Sequence, residues 1–227
     1  MYTHILFDMD DTLLDFQKAE YESFKRVLFF YNIPFSLELY EQYKSINHSL
    51  WKQFEAGQLS KVVVQNERFS AFFNCLNKRI NGESANSMYQ VFLSEQTWTV
   101  PHAKKVCMEL SKTHSLSIVT NGVGKTQMNR FTLSELSPFF SHLIISEDIG
   151  VAKPDKRFFD AAFKIIGRTD NKKVLLVGDS LSSDILGAFN AKIDCCWFNP
   201  NKRAPDINVS FTYEISNLMQ LLDIIKQ

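Results

Sequence analysis

The stretch His4-Ile5-Leu6-Phe7-Asp8-Met9-Asp10-Asp11-Thr12 sets a short apolar run directly against a cluster of acids. An apolar run of this length reads as a parallel strand buried on both faces. Ligands of open α/β sheets collect at the carboxyl ends of such strands, where Asp8 and Asp10 would sit. Alternation along an extended chain sends both side chains to the same side. Their repulsion raises at least one carboxyl pKa unless a metal ion or a lysine compensates. Two readings stay open at this point, a polar turn after a strand and a cation-dependent site.

The composition narrows the class. The 227 residues are 45% hydrophobic and 13% aromatic, enough for one large globular domain or a core with a smaller insert. Twenty-five basic residues balance twenty-five acidic ones, so no electrostatic footprint for nucleic acid or an anionic membrane is expected. Cys75, Cys107, Cys195 and Cys196 form no C-x-x-C pair, and the first residues lack a basic and then apolar leader. Reduced thiols in a cytoplasmic protein are the expectation. No stretch approaches the roughly 18 apolar residues of a membrane span.

From about Val100 onward strands and helices alternate. Leu116 to Thr120, Leu143 to Ile145, Val174 to Val177 and Asp194 to Phe198 read as buried strands. Ala103 to Lys112, Lys125 to Leu133, Arg157 to Ile166, Leu181 to Ala191 and Ile215 to Ile225 read as helices. This alternation predicts right-handed βαβ crossovers and a parallel sheet, an α/β core. The segment from about Phe16 to Thr97 differs, with apolar residues at helical spacing: Tyr21, Phe24, Leu28 and Tyr31, then Leu39, Tyr43 and Ile46, then Phe69, Phe72, Phe73 and Leu76. Ser60 is the expected N-cap of a helix through Val62-Val63-Val64, and Asn81-Gly82-Glu83-Ser84 is the expected turn. A helical insert at this point of the chain is expected to hang over the strand ends as a lid.

Three more strand ends carry polar groups. Thr120-Asn121-Gly122 offers a hydroxyl, an amide and backbone N–H groups to an anion at a helix start. Lys153 precedes Pro154, which keeps its backbone extended. Gly178-Asp179-Ser180-Leu181-Ser182-Ser183-Asp184 places one acid at a strand end and another about a turn into the next helix, where Asp179 could cap and Asp184 could complement the dipole. Gly124-Lys125-Thr126 mimics the end of a P-loop, but Val119 stands where that motif needs glycine. Taken singly each group fits an ordinary structural role. Together they follow one another at the ends of successive strands of one inferred sheet.

These residues resemble the four motifs of the haloacid dehalogenase superfamily of aspartate-nucleophile phosphohydrolases: Asp8-Met9-Asp10-Asp11-Thr12, Thr120-Asn121, Lys153-Pro154, and Gly178-Asp179 through Asp184. The resemblance implies a Rossmann-like parallel sheet with helices on both faces, residues 1–15 and 98–227, and an inserted α-helical cap, residues 16–97. It implies a Mg²⁺-dependent phosphatase in which Asp8 is the nucleophile and Asp10 the general acid and base. Thr120, Asn121 and Lys153 would bind phosphate, and Asp8, Asp10 through its backbone carbonyl, Asp179 and Asp184 would serve the metal. Asn47-His48-Ser49-Leu50-Trp51, Gly57, Arg68-Phe69 and Ser146 through Pro154 are similar to a pyrimidine nucleoside monophosphate 5′-nucleotidase group. That narrower resemblance makes Asn47, Trp51 and Arg68 the specificity candidates and a small phosphate ester the partner. Two positions depart from the superfamily's common wording, Asp11 and His102, both standing where glycine is frequent. Sugar-phosphate or phosphoglycolate hydrolysis, a mutase, a phosphonatase and an inactive phosphate-binding module are the alternatives. Asp10 argues against a dehalogenase, and the insert against a response-regulator receiver.

Overall fold

The structure, a computed structural model, describes residues 2–167 and 170–226. It divides into two compact units, Met1–Phe16 with Thr97–Gln227, and Gln17–Gln96. In the first unit six strands form one sheet: β1 (His4–Phe7), β2 (Ser115–Thr120), β3 (His142–Ile145), β4 (Val174–Gly178), β5 (Asp194–Phe198) and β6 (Tyr213–Ile215). Their spatial order is β3-β2-β1-β4-β5-β6, and every neighbouring pair is parallel.

β1 lies between β2 and β4, with Phe7 in register with Ile118 on one side and Val177 on the other. Both faces of this strand are covered, which is why it reads as uninterrupted apolar sequence. Ile5 and Phe7 pack into one cluster with Val106, Leu110 and Leu221, whereas Leu6 packs on the other face with Phe158, Phe159, Ala162 and Ala188. α5 (Ala103–Leu110) and α10 (Gln220–Ile225) supply the first layer, α8 (Lys156–Ile165) and α9 (Leu186–Ala191) the second. Cys195 and Cys196 are buried residues of β5, and all four cysteines are free thiols.

The sheet differs from expectation at its far edge. Tyr213–Ile215 pairs with β5 as a sixth strand, so Ile215 ends a strand instead of opening a helix. The helix starts at Gln220, whose side-chain carbonyl accepts from the backbone N–H of Ser216 and Asn217. The segment predicted as one helix from Leu181 is a π-helical turn, Leu181–Ile185, followed by α9. Ser180, not Asp179, caps it, accepting from the Ser183 N–H.

The second unit takes in α1 (Phe16–Phe30) beyond its first residue, α2 (Leu37–Glu55), α3 (Lys61–Cys75) and α4 (Gly82–Ser94). Ser60 caps α3 as expected, accepting from the Val63 N–H. Asn81 caps α4 through its side-chain oxygen, so the predicted turn at Asn81-Gly82 is a helix start. Gly82 is required there because a Cβ would come within 2.1 Å of Ser70 Oγ. The core of this unit is aromatic: Phe24 stacks on Tyr43 at 4.6 Å and meets Phe72 edge-on at 5.2 Å. No helix among the described residues is long and apolar enough to cross a membrane.

Candidate active site

The Asp8 backbone N–H donates to the Val177 carbonyl at 2.9 Å, prolonging the β1–β4 ladder by one residue. This delivers the Asp8 side chain to the carboxyl end of the sheet centre. Lys153 reaches the same point, its Nζ 2.5 Å from Asp8 Oδ1, 2.7 Å from Asp184 Oδ1 and 2.9 Å from the Val119 carbonyl. The three N–H groups of the ammonium are therefore matched by three acceptors. The loop carrying Lys153 is docked by Asn121, whose Nδ2 donates to the Lys153 carbonyl and whose Oδ1 accepts from the Lys153 N–H, at 2.9 and 3.0 Å. The amide predicted to touch phosphate is thus occupied in aiming Lys153. The Lys153–Pro154 peptide is cis.

Asp184 sits directly behind Gly178. A Cβ at residue 178 would come 2.3 Å from Asp184 Oδ2, so only glycine lets the carboxylate approach the strand. Asp8, Asp179 and Asp184 offer ligand atoms within 4.8 Å of one another. Three carboxylates against one ammonium leave an excess of two negative charges in a buried place, which is costly without a cation. Burial, with Asp184 and Asp10 adding to it and Lys153 opposing, raises the Asp8 carboxyl from 3.8 to about 8. Burial, then Asp8, Asp11 and Asp184, pushes Asp179 well up, with Arg203 opposing. Burial lowers Lys153, but Asp184 and Asp8 outweigh it and hold the ammonium charged. A donor set of carboxylate oxygens with an excess of two charges fits a hard divalent cation.

The Asp10 carboxylate is not in this cluster. It turns to α6 (Gly124–Leu133), where Arg130 Nη1 donates to Oδ1 and Gln127 Nε2 donates to Oδ2 at 2.8 Å. The Asp10 side chain is thereby held away from Asp8, Asp179 and Asp184. Thr120 Oγ1 accepts from the Gly122 N–H at 3.1 Å and from Gln127 Nε2 at 2.8 Å, which leaves its own proton to donate. The Gly124 N–H at the start of α6 is taken by Glu147 Oε2, on the short α7 (Ser146–Ile149), at 2.8 Å. A carboxylate therefore occupies the place where a P-loop would hold phosphate.

Sequence reading missed Gln127, Arg130, Thr12 and Trp197. Thr12 Oγ1 donates to Asp179 Oδ1 at 3.4 Å, and Trp197 Nε1 donates to the Asp179 carbonyl at 3.0 Å. No local sequence signal marks the α6 pair, because that helix buries Thr126, Gln127 and Arg130 while leaving Met128 and Leu133 exposed, the inverse of what residue polarity predicts.

Within the helical unit, Asn47 and Arg68 are buried and Trp51 is half-buried. Asn47 Nδ2 donates to Glu20 Oε1 at 2.7 Å, and Tyr40 Oη donates to Glu20 Oε2 at 3.3 Å. Arg68 donates twice to Asn86 Oδ1, at 2.9 and 2.5 Å, with its guanidinium 4.5 Å from the Tyr89 ring centre. Trp51, one turn beyond Asn47 on α2, is edge-on to Phe54 at 5.5 Å. Asn47 Oδ1 is buried with no hydrogen-bond partner among the described residues, and the Tyr43 and Tyr89 hydroxyls are buried against each other beside Arg68.

Comparison with known proteins agrees with this geometry. The family model of haloacid dehalogenase-like hydrolases matches residues 5–198. The chain is 38% identical over 224 residues to the HAD-hydrolase YfnB of Bacillus subtilis, covering 99% of this chain and 95% of that one. The magnesium-bound crystal structure of YfnB superposes with a TM-score of 0.95, covering 100% of this chain and 99% of the other. The pyrimidine 5′-nucleotidases YjjG of Escherichia coli and PynA of Streptococcus pneumoniae are 31% and 33% identical, over 96% and 98% of this chain and 95% and 94% of theirs.

Proposed function

The chain belongs to the haloacid dehalogenase-like hydrolase family, and from that premise we propose that it hydrolyses phosphate monoesters through an aspartyl phosphate on Asp8. The observation that carries this reading is the convergence of Asp8, Lys153, Asp179 and Asp184 at the centre of the sheet, with Asp10 and Thr120 at the adjoining strand ends. An Asp8 oxygen attacks phosphorus as the ester P–O bond breaks, and the leaving alkoxide takes a proton from Asp10. Asp10, now ionised, takes a proton from the water that attacks the same phosphorus, releasing phosphate and restoring Asp8. Lys153 favours the ionised form of Asp8 against the burial that raises its carboxyl, and a bound cation would favour it further. The Thr120 hydroxyl donates its free proton to a phosphoryl oxygen, where charge accumulates in transfer.

The resident ion of this reading is Mg²⁺, held by Asp8, the Asp10 carbonyl and Asp179, with Asp184 ordering its water shell. Bound there, it would neutralise the approach of two anions and orient the phosphoryl group. The preferred substrates in this reading are nucleoside 5′-monophosphates, pyrimidine ones above all. The support is the near full-length similarity to two pyrimidine 5′-nucleotidases and a helical unit that buries Asn47 and Arg68. The test is kcat/KM for dUMP, dTMP, UMP, AMP, glucose 6-phosphate and phosphoglycolate with Mg²⁺. Pyrimidine nucleotides are expected to lead. A lead for either of the last two sinks the nucleotidase assignment and leaves the chemistry standing, whereas no turnover of any phosphate ester sinks both.

A further inference from the structure

We propose that Gln127 and Arg130, neighbours on one face of α6 at i and i+3, are positioning residues for Asp10, locking its carboxylate for proton transfer to the leaving group. The proposal rests on the phosphatase reading above and adds two residues that none of the four motifs contains. Arg130 is wholly buried, and the Asp10 side chain is 27% exposed. Arg130 Nη1 holds Asp10 Oδ1 and also donates to Gln127 Oε1 at 3.1 Å. Gln127 Nε2 holds Asp10 Oδ2 and Thr120 Oγ1, each at 2.8 Å. Only one orientation of the Gln127 amide satisfies this pattern, because the opposite one would face its carbonyl to a carboxylate and its NH₂ to a guanidinium. Gly122 is fitted against the same side chain, since a Cβ there would come 2.4 Å from Gln127 Cδ.

The consequence is mechanical. With a donor on each oxygen the Asp10 carboxylate is fixed in rotation and held apart from the Asp8, Asp179 and Asp184 cluster. Each oxygen accepts more than one hydrogen bond, so lone pairs stay free for the leaving-group proton. Gln127 also ties Asp10 to Thr120, so the group that handles the proton and a group that meets the phosphoryl oxygens are referenced to one helix. A purely structural arginine would need only a countercharge. This one has a carboxylate two residues from the proposed nucleophile and a glutamine that spans to Thr120.

The test separates positioning from folding through the leaving group. kcat/KM reports the steps up to aspartyl phosphate formation. It is measured for an aliphatic ester, dUMP, and for p-nitrophenyl phosphate, whose nitrophenolate departs without a proton. Gln127→Met keeps the volume without the amide, and Arg130→Lys keeps the charge without the fork. Each is expected to lower kcat/KM on dUMP about 10- to 100-fold, the scale of a misplaced catalytic group, and on p-nitrophenyl phosphate by a clearly smaller factor, about threefold for Arg130→Lys and more for Gln127→Met, which also loses the bond to Thr120. In an Asp10→Asn background the same substitutions are expected to add less than about threefold on dUMP, because they act through the group already lost. Equal losses on the two esters, or full additivity with Asp10→Asn, overturn the proposal while leaving the phosphatase reading intact. Should Arg130→Lys fail to fold, Gln127→Met decides alone. A wild-type protein inactive on both esters overturns both.

Discussion

The two units both bury polar side chains, and they treat them differently. In the sheet unit Asp8 and Asp184 share Lys153, Asp10 has Arg130 and Gln127, and Asp179 has Thr12. In the helical unit the Tyr43 and Tyr89 hydroxyls lie against each other beside Arg68, while Asn47 Oδ1 has no hydrogen-bond partner among the described residues, as Thr3 Oγ1 has none in the sheet unit. Such an atom costs about 1–3 kcal/mol, a substantial share of an ordinary stability of about 5–15 kcal/mol. The contrast is between acids fixed by countercharges and amides in the sheet unit and neutral polar groups, Asn47 Oδ1 among them, in the helical unit. In the proposed reading the first arrangement serves reaction chemistry and the second recognition.

The largest expected effect breaks the sheet unit alone. Asp8→Asn should lower kcat on any phosphate ester by about 10⁴-fold or more, as removal of a nucleophile does. Asp10→Asn should cost about 10²- to 10⁴-fold, the range for a general acid or base. Both losses should appear equally on every nucleotide, since neither residue reads the base. Steady-state kinetics on dUMP and AMP checks this, and a base-dependent loss would dissolve the division between the units.

A smaller effect should come from the helical unit. Tyr89→Phe removes a buried hydroxyl that lies against Tyr43 and beside Arg68, so the free protein should lose no more than about 1 kcal/mol. In the recognition reading KM for dUMP should rise about 3- to 10-fold with kcat unchanged. Thermal denaturation and kinetics on one preparation test both. A larger loss of stability with KM unchanged, or a fall in kcat at constant KM, would show that the hydroxyl belongs to the unit's packing.

The comparison also explains what could be read from sequence. Asp8, Thr120 and Asp179 stand at the ends of short buried strands, where a few adjacent residues announce both the strand and its polar end. Lys153 was visible through Pro154. Gln127 and Arg130 were not, because their partner lies 117 and 120 residues earlier in the chain and no local pattern records that contact. The local setting of Asn121, a polar residue at a strand end, is identical to that of Thr120, so sequence alone predicts the same phosphate contact for both. Only the fold reveals that the Asn121 amide is occupied by Lys153. β6 was lost because three residues, Tyr213–Ile215, carry too little periodicity to compete with the helix that follows.

Between these extremes lies the acid cluster itself, whose charge makes pH a probe. Burial raises Asp8 from 3.8 to about 8, so the metal-free folded state binds a proton that the unfolded chain has released. That contribution to stability is full below about pH 4 and is lost as pH climbs to about 8. A divalent cation selects ionised carboxylates, so its affinity should strengthen across the same window. The Tm gain on adding Mg²⁺ should therefore be larger at about pH 8.5 than at about pH 6, by roughly a few degrees for a domain of this size. A gain that is flat or falls with pH would place the ion elsewhere.

The smallest expected effect contrasts the two positions where this chain departs from glycine. Asp11 and His102 both adopt left-handed backbone, with φ of 55° and 70°, so the glycine common at these places in the superfamily has a steric reason. A non-glycine residue there costs roughly 1–2 kcal/mol, while glycine returns about 0.4–1 kcal/mol of unfolded-state entropy against folding. His102 makes no side-chain cap to α5, so His102→Gly should stabilise by up to about 1 kcal/mol and raise Tm by about 2–4 °C. Asp11 differs because its Oδ1 accepts from the Phe16 N–H at 3.0 Å, at the first residue of α1. Losing that bond costs about 1 kcal/mol, which cancels the relief, so Asp11→Gly should leave Tm nearly unchanged. Measured side by side, the two variants isolate the capping bond from the backbone strain. Equal gains at both positions would mean that the Asp11 side chain contributes nothing to the start of the helix.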